Sequence, residues 1–94
     1  MINLFDPMHP GEFIREMYLS DELNETELAK HLNVSPSTLN RILNGKSSVS
    51  CEMALRLEKV LGVLANTWLD MQNQCDLFRL KKESKDKFND LVPV

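Results

Sequence analysis

No apolar run in this chain exceeds a few residues, which leaves nothing long enough to span a bilayer as a helix. The opening run, Met1-Ile2-Asn3-Leu4-Phe5-Asp6, lacks both the basic region and the apolar stretch of a secretory signal, so a cytoplasmic location is expected. Cysteine is scarce. Cys51 and Cys75 are the only two, each set among apolar residues at helical positions. In a reducing compartment such isolated thiols are expected to serve as small core hydrophobes. Neither has a nearby second cysteine or a paired histidine, so the ligand spacing of a zinc site is missing, and His9 and His31 stand alone as well. There is no Gly-rich phosphate loop, no nucleophile motif and no recognisable pairing of His with carboxylate. Neither catalysis nor a cofactor is expected. Strand-like alternation is never sustained, and there is no internal repeat or low-complexity tract.

What is present fits one all-α domain. The 94 residues are 43% hydrophobic and 27% charged, ordinary values for a soluble globular chain with one modest core. The net charge of −3 argues mildly against a polyanionic partner, but the distribution of that charge points the other way. Residues 1–27 hold seven acids against one base, Arg15, and residues 52–94 hold seven of each. Between them, Leu28 to Cys51 contains no Asp or Glu, while Lys30, Arg41 and Lys46 are present together with His31.

Five helices are expected. The first starts near Pro10 and presents Phe13, Ile14, Met17 and Tyr18 on one face. The second follows Asn24 as N-cap, with Glu27 in the capping-box position, and buries Leu28, Ala29 and Leu32. Ser35 caps the third, Pro36 occupies its first turn, Leu39, Ile42 and Leu43 form its apolar face, and Gly45 ends it. The fourth runs from Ser50 as cap through Met53, Ala54, Leu57, Val60 and Leu61 to Gly62. The fifth is expected to begin around Asn66 or Thr67. Residues 1–82 are assigned to the folded domain and 83–94 to a charged C-terminal tail.

The second and third helices are joined by Leu32-Asn33-Val34-Ser35, room for little besides a sharp turn. That turn lets the third helix project while the second crosses behind it, the arrangement that places a helix in the major groove of DNA. Ala29 is small where the helices must approach, Val34 plugs the turn, and Ile42 anchors the projecting helix. Ser37, Thr38, Asn40, Arg41 and Asn44 are left on the outer face, with Ser35 at its start. Arg can pair bidentately with guanine, Asn with adenine, and Ser or Thr with bases or phosphates. Lys46 and the first turn of the second helix, around Glu25 and Thr26, would face the DNA backbone. A plain helical bundle with a solvated outer face would share the apolar period. It would not account for the short turn, the acid-free window, or a face made of Ser, Thr, Asn and Arg instead of Glu and Lys.

Glu27-Leu28-Ala29-Lys30-His31-Leu32-Asn33-Val34-Ser35 and Ser37-Thr38-Leu39-Asn40-Arg41-Ile42-Leu43-Asn44-Gly45-Lys46 resemble the lambda-repressor-like helix-turn-helix proteins. Two flanking runs, His9-Pro10-Gly11-Glu12 and Thr67-Trp68-Leu69-Asp70-Met71-Gln72, narrow the resemblance to HigA-type antitoxins of bacterial toxin–antitoxin modules. The resemblance implies a homodimer on a palindromic double-stranded operator, repressing its own operon. It also implies a cognate toxin partner, small, RelE-like and mRNA-cleaving. A regulator of the same fold without a toxin is the second reading.

The chain departs from the family pattern at three places. Glu25 stands where Gln is common, and a carboxylate cannot donate to a phosphate. Pro36 replaces a frequent Arg. Leu64-Ala65 replaces the usual Ser-Pro opening of the last helix. A weaker or differently tuned grip on the DNA backbone is therefore expected. The last helix carries more apolar residues than one face requires, and the stripe Trp68, Met71, Cys75 and Phe78 is expected to contribute to a two-fold dimer contact.

Overall fold

A computed structural model describes residues 7–94, and the Met1–Asp6 run, in which no secretory signal is expected, lies outside the described residues. Five helices follow in chain order: α1 (Pro10–Met17), α2 (Glu25–Leu32), α3 (Pro36–Leu43), α4 (Cys51–Leu61) and α5 (Ala65–Glu83). No strand is present among the described residues.

Local chemistry accounts for most helix ends. Asn24 and Glu27 form the reciprocal capping box, the Asn24 side chain accepting from Glu27 N at 2.9 Å and Glu27 accepting from Asn24 N at 3.4 Å. Ser35 and Ser50 accept from the third residue of their helices in the same way. At the start of α1 the cap is His9, whose Nδ1 accepts from Gly11 N at 2.9 Å. At the C-termini, Asn33 (φ 57°) and Gly45 (φ 72°) adopt the left-handed conformation. Val34 N then bonds Ala29 O and Asn33 N bonds Lys30 O, while Lys46 N bonds Arg41 O and Gly45 N bonds Ile42 O. Both are Schellman closures that satisfy carbonyls otherwise left open at a helix end.

α5 begins one to two residues earlier than the sequence suggests, at Ala65, and its N-cap Leu64 offers no side-chain acceptor. The missing cap comes from outside the helix. Glu58 of α4 accepts from Ala65 N at 2.7 Å, which explains how a Leu-Ala opening is tolerated. α5 also continues one residue beyond the expected boundary at 82, after which residues 84–90 form turns.

α1 and α2 pack on α3, α2 on α4, and α5 closes the core against α4 and α1. The buried core is Ile14, Leu28, Ala29, Leu32, Leu39, Ile42, Leu43, Val49, Met53, Ala54, Leu57 and Trp68, with Phe13, Tyr18 and Val34 half-buried against it. Three expectations need correction. Met17 points outward instead of sharing the buried face of α1, and Tyr18, four residues after the buried Ile14, packs against the core in its place. Cys51 is exposed at the first turn of α4 and is no core hydrophobe, while Cys75 is half-buried and its burial pushes the thiol pKa up. Trp68 is 0% exposed, packed edge-on to Phe13 at 5.7 Å and donating through Nε1 to Val63 O at 3.1 Å. It belongs to the chain's own core and has no surface to offer a dimer mate.

Candidate nucleic-acid interface

The turn between α2 and α3 is braced from behind. Arg56 of α4 donates through Nη1 to Leu32 O at 2.9 Å and Asn33 O at 3.4 Å, while Nη2 meets Glu52 Oε1 at 2.9 Å. A charge-assisted donor thus occupies the open end of α2, where the helix dipole favours a cation. With Leu39, Ile42 and Leu43 buried beneath it, α3 projects the side chains the sequence assigned to the outside. Ser35, Ser37, Thr38, Asn40, Arg41, Asn44 and Lys46 are all exposed, as is Thr26 at the start of α2. The exposed face and its flank therefore gather every residue expected to contact DNA.

Their surroundings differ. At the N-terminal end of α3 the Ser35 hydroxyl accepts from Thr38 N at 3.1 Å and shares hydrogen bonds with Thr38 Oγ1 at 2.8 Å and Ser37 Oγ at 3.2 Å. Three hydroxyls converge there beside the Ser37 N–H, since Pro36 has no N–H and that of Thr38 is taken by Ser35, an arrangement suited to a phosphate oxygen. The Arg41 side chain is exposed and makes no hydrogen bond or ion pair among the described residues. Lys46 follows Gly45 on the exit loop. That loop is fixed to the back of the molecule by Gln72, 4% exposed, whose Oε1 accepts from Val49 N at 2.9 Å and whose Nε2 donates to Asp76 at 2.9 Å.

Sequence reasoning missed the network at the C-terminal half of α3. Arg15 Nη1 pairs with Glu25 Oε1 at 3.1 Å. Asn40 Nδ2 donates to Glu25 Oε2 at 3.1 Å, Asn44 Nδ2 donates to Asn40 Oδ1 at 3.0 Å, and Arg15 Nη2 donates to Asn44 Oδ1 at 2.8 Å. The four side chains close a ring across α1, α2 and α3. Glu25, read from sequence as a carboxylate unable to donate to a phosphate, is thereby matched by Arg15. The one faint signal was Arg15 itself, the sole base among the acids of residues 1–27. Only the Asn40–Asn44 link is local, at helical i,i+4 spacing; the links of Arg15 to Glu25, Glu25 to Asn40 and Arg15 to Asn44 join different helices and gave no spacing to read.

The same cap that starts α1 sits near α5. Burial lowers the His9 pKa below its ordinary value, with Arg79 adding to the shift and Asp76 and Glu12 opposing it. Among the described residues no three His, Cys, Asp or Glu side chains gather as a metal site, and no helix is long and apolar enough to cross a membrane.

A braced turn, a projecting helix and a polar outer face define the class as helix-turn-helix. The family model described as Helix-turn-helix matches residues 14–66, and the chain belongs to that family. Virulence-associated protein I of Dichelobacter nodosus is 38% identical over 93 residues, which cover 98% of this chain and 85% of that protein. Among solved structures, the addiction module antidote protein of the HigA family from Coxiella burnetii has a TM-score of 0.84 at 34% identity, covering 95% of this chain and 99% of that one. Pseudomonas aeruginosa antitoxin HigA with the higBA promoter has a TM-score of 0.85 at 28% identity, covering 94% and 98%. Within the family, the fold is that of the HigA-type antitoxins.

Proposed function

We infer that this chain is a DNA-binding antitoxin of the HigA type, which represses its own operon and neutralises a cognate toxin. The observation that carries the DNA part is the exposed face of α3, where Ser37, Thr38, Asn40, Arg41 and Asn44 stand together in the acid-free stretch, flanked by Thr26, Ser35 and Lys46. Ser35, Ser37 and Thr38 at the head of the helix suit phosphate oxygens. Asn40, Arg41 and Asn44 suit base edges. The solved relative bound to the higBA promoter supports the same use of the fold.

Two copies are required to span a palindrome, since one eight-residue helix reads a single half-site. The proposed two-fold contact lies on α5, where Met71, Cys75 and Phe78 are half-buried and Leu77 and Leu80 are exposed. Trp68 plays no direct part in it. Light scattering at tens of micromolar, an order of magnitude suited to a modest interface, tests this, and a monomeric mass refutes it.

DNA binding is tested by a gel shift on the region upstream of the chain's own reading frame. A sequence-dependent shift that weakens steeply with salt is expected, and its absence refutes the reading. The toxin is tested by the adjacent reading frame. A small basic protein that arrests growth alone and is relieved by co-expression of this chain is expected. Without such a frame, the chain is a free-standing regulator.

A further inference from the structure

The ring at the C-terminal half of α3 has a chemical direction. Arg15 can only donate hydrogen bonds and the Glu25 carboxylate can only accept them, whereas an asparagine amide does both. Asn44 must therefore turn its oxygen toward Arg15, and Asn40 must turn its nitrogen toward Glu25. The middle link, from Asn44 Nδ2 to Asn40 Oδ1 at 3.0 Å, then follows. If either amide flipped, N–H would face N–H or oxygen would face oxygen. Arg15 is itself unable to swing away freely, because its Nε donates to Leu43 O at 3.3 Å while Nη1 and Nη2 hold Glu25 and Asn44.

We propose that Glu25 is a positioning residue for operator readout, fixing with Arg15 the orientation of the Asn40–Asn44 amide pair so that both are set to read adenine. This rests on the DNA-binding reading above and deepens it. Within the ring each amide spends one N–H and one acceptor direction, leaving one of each. Adenine in the major groove asks for that combination, an acceptor for its N6–H and a donor for its N7. An unclamped asparagine can turn over and lose the distinction. Glutamate at this position gives up the phosphate bond that a glutamine could donate, and in exchange it imposes a polarity that a glutamine, able to face either way, cannot.

Two neutral variants separate this role from simple charge. Glu25→Gln removes the acceptor-only end of the ring with a side chain of nearly the same shape at a site 34% exposed. Glu27→Gln removes the same charge from the same turn, and Gln preserves the capping box. Wild-type protein is used to select duplexes from a pool with randomised positions. Affinities of wild type and both variants are then measured at one salt concentration. The probes are the selected duplex, copies with single adenines replaced, and a random-sequence duplex. Wild type is expected to reject adenine replacements at the selected positions by about fivefold or more. Glu27→Gln is expected to tighten all duplexes alike, with those ratios intact. Glu25→Gln is expected to tighten the random duplex while its adenine discrimination collapses toward unity. Uniform changes for Glu25→Gln across all duplexes, in either direction, overturn the proposal, as does a wild-type selection without adenine preference. A wild type that selects no sequence at all instead defeats the DNA-binding reading itself.

Discussion

Gly11 lies where the start of α1 meets the end of α3. A methyl group built on it falls on the Ile42 carbonyl oxygen and comes within 2.7 Å of Leu43 Cα and 2.8 Å of Ile42 C. All three obstacles are backbone atoms, so no side chain can rotate out of the way. On helix propensity alone, Gly11→Ala would stabilise α1 by about 1 kcal/mol. Overpacking costs about 1–3 kcal/mol, and an obstruction made of helix backbone belongs at the top of that range. The expected net effect is a loss of about 2 kcal/mol, because α1 and α3 must separate. For a domain of this size that is a fall in Tm of roughly 10 °C, or a urea midpoint lower by about 1 M. Both proteins must be compared at one protomer concentration, since dimerisation adds its own stability. A Gly11→Ala variant as stable as wild type, or more so, would show that the close approach of the two helices is not real.

Three further substitutions probe the site and its supports. His9→Asn retains a helix-capping side chain but cannot titrate. The wild-type His9 pKa is lowered by burial, so the unfolded chain takes up its proton before the folded one does. Wild-type stability should therefore be flat above about pH 6.5 and decline below it, and His9→Asn should lose that part of the slope in urea midpoints between pH 7.5 and 5.5. Equal slopes would show that His9 does not couple folding to pH. Gln72→Leu preserves volume but strands the buried Val49 N–H, at a cost of about 1–3 kcal/mol and with loss of hydrogen-exchange protection at Val49. Unchanged protection there would contradict the bond. Arg41→Ala should leave stability within about 0.5 kcal/mol and weaken specific binding by about 1–3 kcal/mol if Arg41 pairs with guanine. Anisotropy titration on the operator measures this, and an unaltered affinity rules that contact out.

The five helices were legible because their signals are local. Asn24 with Glu27, Ser35 with Pro36, Ser50, Gly45 and Gly62 each act within a few residues of the helix end they mark. Where the capping atom comes from a distant residue, the boundary shifts. The start of α5 depends on Glu58 seven residues earlier, and nothing in Leu64-Ala65 announces it. The stripe on α5 was visible, but its partner was not. A period of 3.6 gives a face without saying what covers it, and Phe13 rather than a second copy covers Trp68. The outer face of α3 was legible for the same reason its inner face was. The Arg15–Glu25–Asn40–Asn44 ring was not, because three helices contribute to it.

The two flanking signatures that narrowed the resemblance supply nothing to the exposed face, yet they converge on the helix that forms it. Gly11 lets α1 touch the backbone of Ile42 and Leu43, and the His9 ring lies where a Cβ on Gly45 would meet it at 3.9 Å. Gln72 fixes Val49 on the exit loop, and Trp68 packs behind them on Phe13. An isolated helix of eight residues has no stability of its own in water. The direction in which α3 projects is therefore set by what holds its C-terminal end. His9, Gly11, Trp68 and Gln72 form that cradle from both ends of the domain. Changes there should alter operator binding through the angle of α3, without loss of any DNA contact. Their effect should fall on all bases of a half-site together, unlike the single-position effect expected at Arg41.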